Sequence, residues 1–269
     1  MDSGNRELEK PGAEPAVDAR IERERRYYDR GDFTRGTAIA VRRLIMRSIG
    51  EFNGFPDRFF EQFDARGRDA LDYGCGRGYI AIRLAQEGAA SVTGIDLSST
   101  ELEYARQRAN DAGVGERISF VVGDAHHTPF ADASFDLIVG AAILHHVDLE
   151  LSLQEVKRLL RPGGEAFFIE PLWHNPLLRL GRALSPGTRT ADEHPLTDAE
   201  WELCSGKFEH FQHTERELVA IPLMPFNLIL PHRAQSWLAR IVTRADQQLF
   251  ERFPGSRKYA RVTFLQFRR

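Results

Sequence analysis

The chain is poor in cysteine, with 2 in 269 residues, and it has only 3 methionines and 3 tryptophans. Cys75 and Cys204 cannot staple a disulfide framework, which excludes the small secreted scaffolds that depend on one. Charge of one sign is lacking as well. A net −3 gives none of the basic surplus that nucleic-acid binders carry. No apolar run is long enough for a membrane span, and the longest, Leu218 to Pro231, is broken by three prolines. Met1 to Glu24 is polar and lacks the apolar centre of a signal peptide. Internal repeats and low-complexity linkers are missing too. A cytoplasmic protein without stable membrane association is expected, with no nucleic-acid partner.

What is present is enough apolar sequence, 42%, to bury a sizeable core. The stretch Ala70 to Gly78 organises it: a short apolar run ends in Asp72, and Gly74, Gly76 and Gly78 follow at alternate positions. Tyr79 to Ala85 then reads as a helix. Strand, glycine turn and helix make the local geometry of a nucleotide site, because glycines let the chain turn sharply and let a ligand approach the main chain. A dinucleotide fingerprint starting at Gly74 requires glycine at position 79, where Tyr79 stands.

From Arg68 the pattern alternates regularly. Strands are expected at Arg68–Tyr73, Ser91–Leu97, Ile118–Val122, Phe135–Ile143 and Glu165–Ile169. Between them lie a helix ending at Gly88, one opened by a Ser98/Glu101 capping box, and one burying Leu149, Leu153, Val156 and Leu160. Near-continuous apolar strands alternating with amphipathic helices predict a parallel, doubly wound sheet. Residues 1–19 are expected to be a mobile tail. Residues 20–66 read as an N-terminal helical lid, with a short helix over Ile21–Phe33 and helical periodicity over Thr37–Phe63. Residues 67–269 form the main domain, with a core over 67–171 and a cap with closing strands over 172–269. Within the cap, Pro171–Pro195 reads as irregular and Thr197–Gly206 as a short helix capped by Thr197. Phe208–Ile221 reads as a strand, Ser236–Phe250 as a helix and Val262–Phe267 as a closing strand.

Asp96 ends the second strand, where a carboxylate accepts from both hydroxyls of a ribose, though a charge favoured by a helix N-terminus would look the same. Asp124 closes the third strand beside the expected position of a nucleobase, with Ala125 offering its amide; an ordinary Gly-Asp turn is the other reading. Towards the end of the fourth strand, Gly140 and Ala141 leave room for a ligand. His145 or His146 then stands near the reacting atom, as a base or as a fixed point of the loop.

Five segments, LDYGCGRG, GIDLS, GDAHHTPF, SFDLIVGAAILHHV and LLRPGG, occur in this order between Arg68 and Glu170. Together they resemble the motifs of class I, Rossmann-like methyltransferases that use S-adenosylmethionine (SAM). The resemblance implies an α/β fold with a doubly wound seven-stranded, mostly parallel sheet whose last strand is antiparallel. It also implies N-terminal helices and a cap insertion after strand five. It implies SAM as cofactor, with Asp72, Gly74, Cys75, Gly76, Gly78, Asp96, Leu97, Asp124, Ala125, His126 and Ala141 around it. The LHH stretch is similar to the small-molecule branch of the family. SN2 transfer from a sulfonium needs in-line positioning and exclusion of water, and a base only where the acceptor must lose a proton.

Acceptor contacts are expected from the least regular parts. His145, His146, Glu170 and His174 are the candidate catalytic groups. Tyr27, Tyr28, Trp173 and Asn175 are the candidate acceptor contacts, the tyrosines equally readable as anchors of a helix. Asp192 to Pro195 reads as a structural cap or hinge. The Leu218–Leu230 run reads as a cap or as the apolar wall of a site for a lipophilic acceptor. His127 and His194 lack metal-ligand spacing, and no metal is expected. The partner is expected to be a small molecule, with a homodimer left open. An NAD-dependent oxidoreductase and a SAM-binding protein that transfers no methyl are the competing readings.

Overall fold

The computed structural model describes residues 14–30, 55–183, 190, 193–219, 221 and 232–269. The expected tail as far as residue 13, the periodic stretch from 37 to 54, Asp192 and most of the Leu218–Leu230 run lie outside the described residues.

In chain order the strands are β1 (Asp69–Tyr73), β2 (Ser91–Asp96), β3 (Ile118–Val122), β4 (Phe135–Ala141), β5 (Leu160–Pro171), β6 (His210–Arg216) and β7 (Val262–Arg268). They make one seven-stranded sheet ordered β3-β2-β1-β4-β5-β7-β6. The pairs β2–β3, β1–β2, β1–β4 and β4–β5 are parallel, and β7 runs antiparallel to both β5 and β6. The alternation predicts the doubly wound parallel part of this sheet, and the family resemblance implies its seven strands and antiparallel last strand.

Period-two alternation along each strand feeds two cores. Leu71, Tyr73, Ile138 and Phe168 face one side, while Ala70, Leu137, Val139 and Phe167 face the other. Helix α1 spans Glu14–Arg30 and α2 Phe55–Phe60, and α3 (Tyr79–Gln86) buries Ile80, Ala81, Leu84 and Ala85 on the second side. Helix α4 (Ser99–Asp111) follows β2, and α5 (Leu149–Leu159) buries Leu149, Leu153, Val156 and Leu159 on the first side. The remaining helices are α6 (Pro176–Ala183), α7 (Trp201–Lys207) and α8 (His232–Arg252).

The departures from expectation have local causes. The capping box of α4 is half formed. Ser98 Oγ accepts from Glu101 N at 3.2 Å, but the Glu101 carboxylate turns to Arg77 (2.8 and 3.1 Å), and Ser98 N donates to Asp96 instead. At α7 the box runs the other way: Thr197 N and Oγ1 both donate to the Glu200 carboxylate, and the helix begins with a 3-10 turn, Asp198–Glu200. Strand β5 starts at Leu160, because Leu160 pairs with Phe135 ahead of a register shift in β4. Helix α6 falls in the stretch read as irregular. Asn175 caps it, accepting from Leu177 N (3.0 Å) and Leu178 N (3.2 Å), with Pro176 at its first position. Helix α1 starts seven positions earlier than the expected Ile21, and β6 is shorter than Phe208–Ile221.

Leu153 is fully buried where α5 meets the sheet. Leu153→Ala should lower unfolding stability by about 2–5 kcal/mol in urea titrations. A change below about 0.5 kcal/mol would contradict this packing.

Candidate active site

The carboxyl ends of β1, β2, β3 and β4 lie together, and backbone amides bind buried carboxylates there. After β1 the chain doubles back: Gly74 N and Cys75 N both donate to Ile95 O at 2.9 Å. Gly74 holds φ +74°, and a Cβ on it would stand 2.6 Å from the Ile143 side chain. Gly76 also has positive φ, but a Cβ there would meet nothing within 4 Å, so its main chain faces open space. Asp96 joins this turn to the start of α4, accepting from Gly76 N through Oδ2 (2.8 Å) and from Ser98 N through Oδ1 (2.9 Å). Burial pushes its carboxyl up.

Asp124 Oδ1 accepts from His126 N (2.9 Å) and meets His126 Nδ1 (2.7 Å). Because Asp148 N donates to His126 Nε2 at 2.8 Å, the ring proton sits on Nδ1 and is donated to Asp124. Burial pushes Asp124 up, but these bonds outweigh it and hold the carboxyl below its ordinary value. Beyond β4, Ala142 adopts φ +57° and a single 3-10 turn covers Leu144–His146. Glu170, fully buried at the end of β5, fixes that turn. Its Oε1 accepts from Ile143 N (2.9 Å) and Leu144 N (2.8 Å), and its Oε2 meets His145 Nδ1 at 2.7 Å.

These loops and α1 enclose a cavity of about 230 Å³. One wall is Gly74, Gly76, Asp96 and Leu97 with Gly123 to His126. The segment after β4 adds Ala142, Ile143, His146 and Val147, and α1 contributes Arg20, Ile21, Glu24 and Tyr28. Helix α1 is fastened near its C-terminal end by two adjacent residues. Ser98 Oγ donates to Asp29 at 2.6 Å, and Tyr28 Oη lies 3.3 Å from His146 Nε2.

A profile described as "Methyltransferase domain" matches residues 71–168. Methyltransferase GfsG of Streptomyces halstedii is 40% identical over 110 residues, which cover 40% of this chain and 40% of that protein. The fatty-acid O-methyltransferase of Mycolicibacterium smegmatis is 30% identical over 208 residues, covering 75% of this chain and 70% of that one. The chain belongs to the SAM-dependent methyltransferase family. It spans less than half the length of GfsG. The solved [4+2]-cyclase SpnF shares the fold, with a TM-score of 0.52 over 79% of each chain at 20% identity.

In this member of the family the cavity gathers Gly74, Gly76, Asp96, Leu97, Asp124, Ala125, His126, His146 and Tyr28 of the residues singled out from sequence. Gly78 caps α3 instead, where a Cβ would meet Ala105 and Phe120 at 3.0 Å. Cys75 turns its thiol away from the cavity, onto β2 beside Gly94, and only its main chain belongs to the turn. Ala141 packs with the second core, and its neighbour Ala142 lines the cavity. His145 and Glu170 are bound to each other beneath the wall, so they hold the loop and do not face a ligand. His174 lines a separate recess with Trp201 and Arg257. Trp173 lies under the Arg179 guanidinium, and Asn175 serves α6 as its cap while Nδ2 donates to Tyr259 O. Tyr27 stacks edge-on against Tyr28, outside the lining.

The sequence reading missed Arg20, Ile21, Glu24, Ala142, Ile143 and Val147. For α1 a signal existed: positions 20, 24 and 28 recur at four-residue spacing, one stripe of a helix. The fold also brings ligand-type atoms of His145, His146 and Glu193 within 4.8 Å of one another. Glu170 already holds His145, and Arg182 pairs with Glu193 at 3.4 Å. Among the described residues, no helix is long and apolar enough to cross a membrane.

Asp72, beneath the glycine turn, accepts from Ala81 N at 2.8 Å, while its Oδ1 has no hydrogen-bond partner. Burial, aided by the charge of Asp96, pushes its carboxyl up from 3.8 to about 8. A carboxyl raised on folding favours the fold while it is protonated, and loses that contribution as pH climbs from 3.8 towards about 8. Asp72→Asn, which cannot ionise, should therefore gain on the parent in urea unfolding as pH rises through this window. A difference independent of pH would contradict the assignment.

Proposed function

We propose that this protein transfers the methyl group of SAM to a small, hydrophobic acceptor. The observation that carries the reading is a single cavity lined by two unlike sets of residues: strand-end carboxylates and glycines, and His146, Tyr28, Ile21, Ile143 and Val147. The residues present fit SAM. Each Asp96 oxygen holds one backbone amide and keeps a lone pair for a ribose hydroxyl. Asp124 uses Oδ1 for His126, so that Oδ2 can serve an adenine amine beside the Ala125 amide. Gly76 keeps the wall free of a Cβ, and an ammonium reaching the unpartnered Asp72 Oδ1 through water would favour the ionised form of that carboxyl.

Bound SAM supplies an activated methyl and its own leaving group. The chain's task is to hold the acceptor in line and keep water out, which the covering helix α1 does over Ile21, Ile143 and Val147. His146 is the ring that faces the acceptor, and its Nε2 takes the proton that an acceptor hydroxyl or amine must lose. The named activity of the Mycolicibacterium smegmatis relative, on fatty acids, favours a lipophilic acceptor. The partner in this reading is the small molecule, with no part for nucleic acid. The enzyme works in the cytoplasm, as a monomer or a homodimer. A second reading, that SAM is bound without methyl transfer, draws on the likeness to SpnF, which is named as a cyclase.

Incubation with trideuteromethyl-SAM and panels of fatty acids, polyketides, quinols, amines and sugars tests this by mass spectrometry. Label on the lipophilic panels is expected. Label on polar amines or sugars alone would overturn the acceptor class, and SAM binding without any labelled product would favour the second reading. Asp96→Ala should weaken S-adenosylhomocysteine binding by about 1–3 kcal/mol, because it leaves ligand hydroxyls and two amides unpaired. Calorimetry that finds unchanged affinity in a folded variant would remove Asp96 from the site. His146→Ala should lower kcat by about 10²–10⁴-fold with little change in cofactor affinity. An unchanged kcat would remove it as the base.

A further inference from the structure

Glu24 is the group that the methyl-transfer reading leaves unused. It sits on α1 at the cavity, 6% exposed, and neither oxygen takes a hydrogen bond among the described residues. A buried carboxylate in that state is costly and calls for a partner. Its Oε2 lies 3.4 Å from His146 Nδ1, which is itself buried and without a hydrogen bond. The other ring nitrogen, Nε2, faces the Tyr28 hydroxyl at 3.3 Å. Burial and the charge of Glu24 push that phenol up, so it stays protonated. The Glu24 carboxylate 3.4 Å from Nδ1 favours the neutral tautomer with its proton there, and Nε2 then accepts from the Tyr28 hydroxyl.

We infer that Glu24 is a positioning residue, which holds His146 with its proton on Nδ1 and so keeps the Nε2 lone pair facing the acceptor. The inference rests on His146 as the base of the proposed transfer. In the free protein the Tyr28 hydroxyl fills the place that an acceptor hydroxyl takes. When the acceptor reacts, its proton passes to Nε2 and the methyl joins the acceptor oxygen or nitrogen as its bond to sulfur breaks, the electron pair leaving with S-adenosylhomocysteine; the ring becomes an imidazolium whose charge the Glu24 carboxylate offsets. The 3.4 Å separation shortens to a charge-assisted hydrogen bond as that charge develops. The carboxylate comes from α1 and the imidazole from the loop after β4. The base is therefore complete only when α1 covers the cavity, which couples proton removal to exclusion of water.

The decisive variant is Glu24→Ala in the full chain, followed by three readouts. Binding of S-adenosylhomocysteine should stay within about threefold of the parent, since Glu24 touches none of the strand-end carboxylates. The kcat should fall at least about 10-fold with KM for the acceptor little changed, and added formate or acetate should restore part of it by occupying the vacated carboxylate site. In ¹⁵N–¹H spectra the His146 ring should change from a single Nδ1–H tautomer to a mixture. A structural role alone would give the loss of rate without carboxylate rescue and without the tautomer change, and that outcome overturns the inference. Unchanged kcat and an unchanged tautomer overturn it as well. Loss of cofactor binding in the parent protein would fail the underlying reading, whereas intact binding and turnover with a Glu24 variant as fast as the parent fails only this inference. Glu24→Gln, which keeps the shape and removes the charge, guards against misfolding of the alanine variant and should retain no more than partial kcat.

Discussion

The carboxylate of Glu170 is the interaction on which the site depends. It sits at the end of β5 with no exposure, and its three contacts are Ile143 N, Leu144 N and His145 Nδ1. Removing it would leave three donors buried without partners, each costing about 1–3 kcal/mol. These bonds draw the segment after β4 across β5. They set Ile143 against Gly74, where no Cβ would fit, and they turn His146 outward to the cavity. One buried carboxyl group, satisfied by amides and an imidazole, thus fixes both the His146 side of the cavity and its fit to the glycine turn.

The same device recurs along the sheet. Asp72 takes the amide of Ala81, and Asp96 takes those of Gly76 and Ser98. Parallel strands put all their carboxyl ends on one edge, so acidic residues at those ends meet the amides of the segments that leave them. Between β1 and β4 the strand order reverses, and chains depart in opposite directions, which opens a crevice there. The cavity occupies that crevice, and α1 closes it through Asp29–Ser98 and Tyr28–His146. The family's chemistry asks for little beyond such a frame, because the methyl donor carries its own leaving group.

Much of this was legible because local signals agree with the fold. Alternating glycines after Asp72, Ser98 at the start of α4 and the apolar strand interiors each have one physical solution, and the structure adopts it. Side-chain direction was less legible. Cys75 and Ala141 stand in the right segments, but the twist of their turns aims them at the core and leaves Ala142 facing the ligand space. Their position after β5 makes Asn175 a candidate acceptor contact and His174 a candidate catalytic group, yet a helix at Pro176 uses Asn175 as its cap, and His174 lines a separate recess. Glu24 was hidden for a different reason. In a helix as charged as α1, nothing in composition separates the buried Glu24 from an exposed neighbour such as Arg25, and only tertiary contact does.

The most direct test of the central claim is a calorimetric titration of the purified protein with S-adenosylhomocysteine and NAD in parallel. The account predicts one equivalent of S-adenosylhomocysteine bound at micromolar concentration and no heat from NAD. Binding of NAD alone, or silence from both ligands in a folded protein, would contradict it.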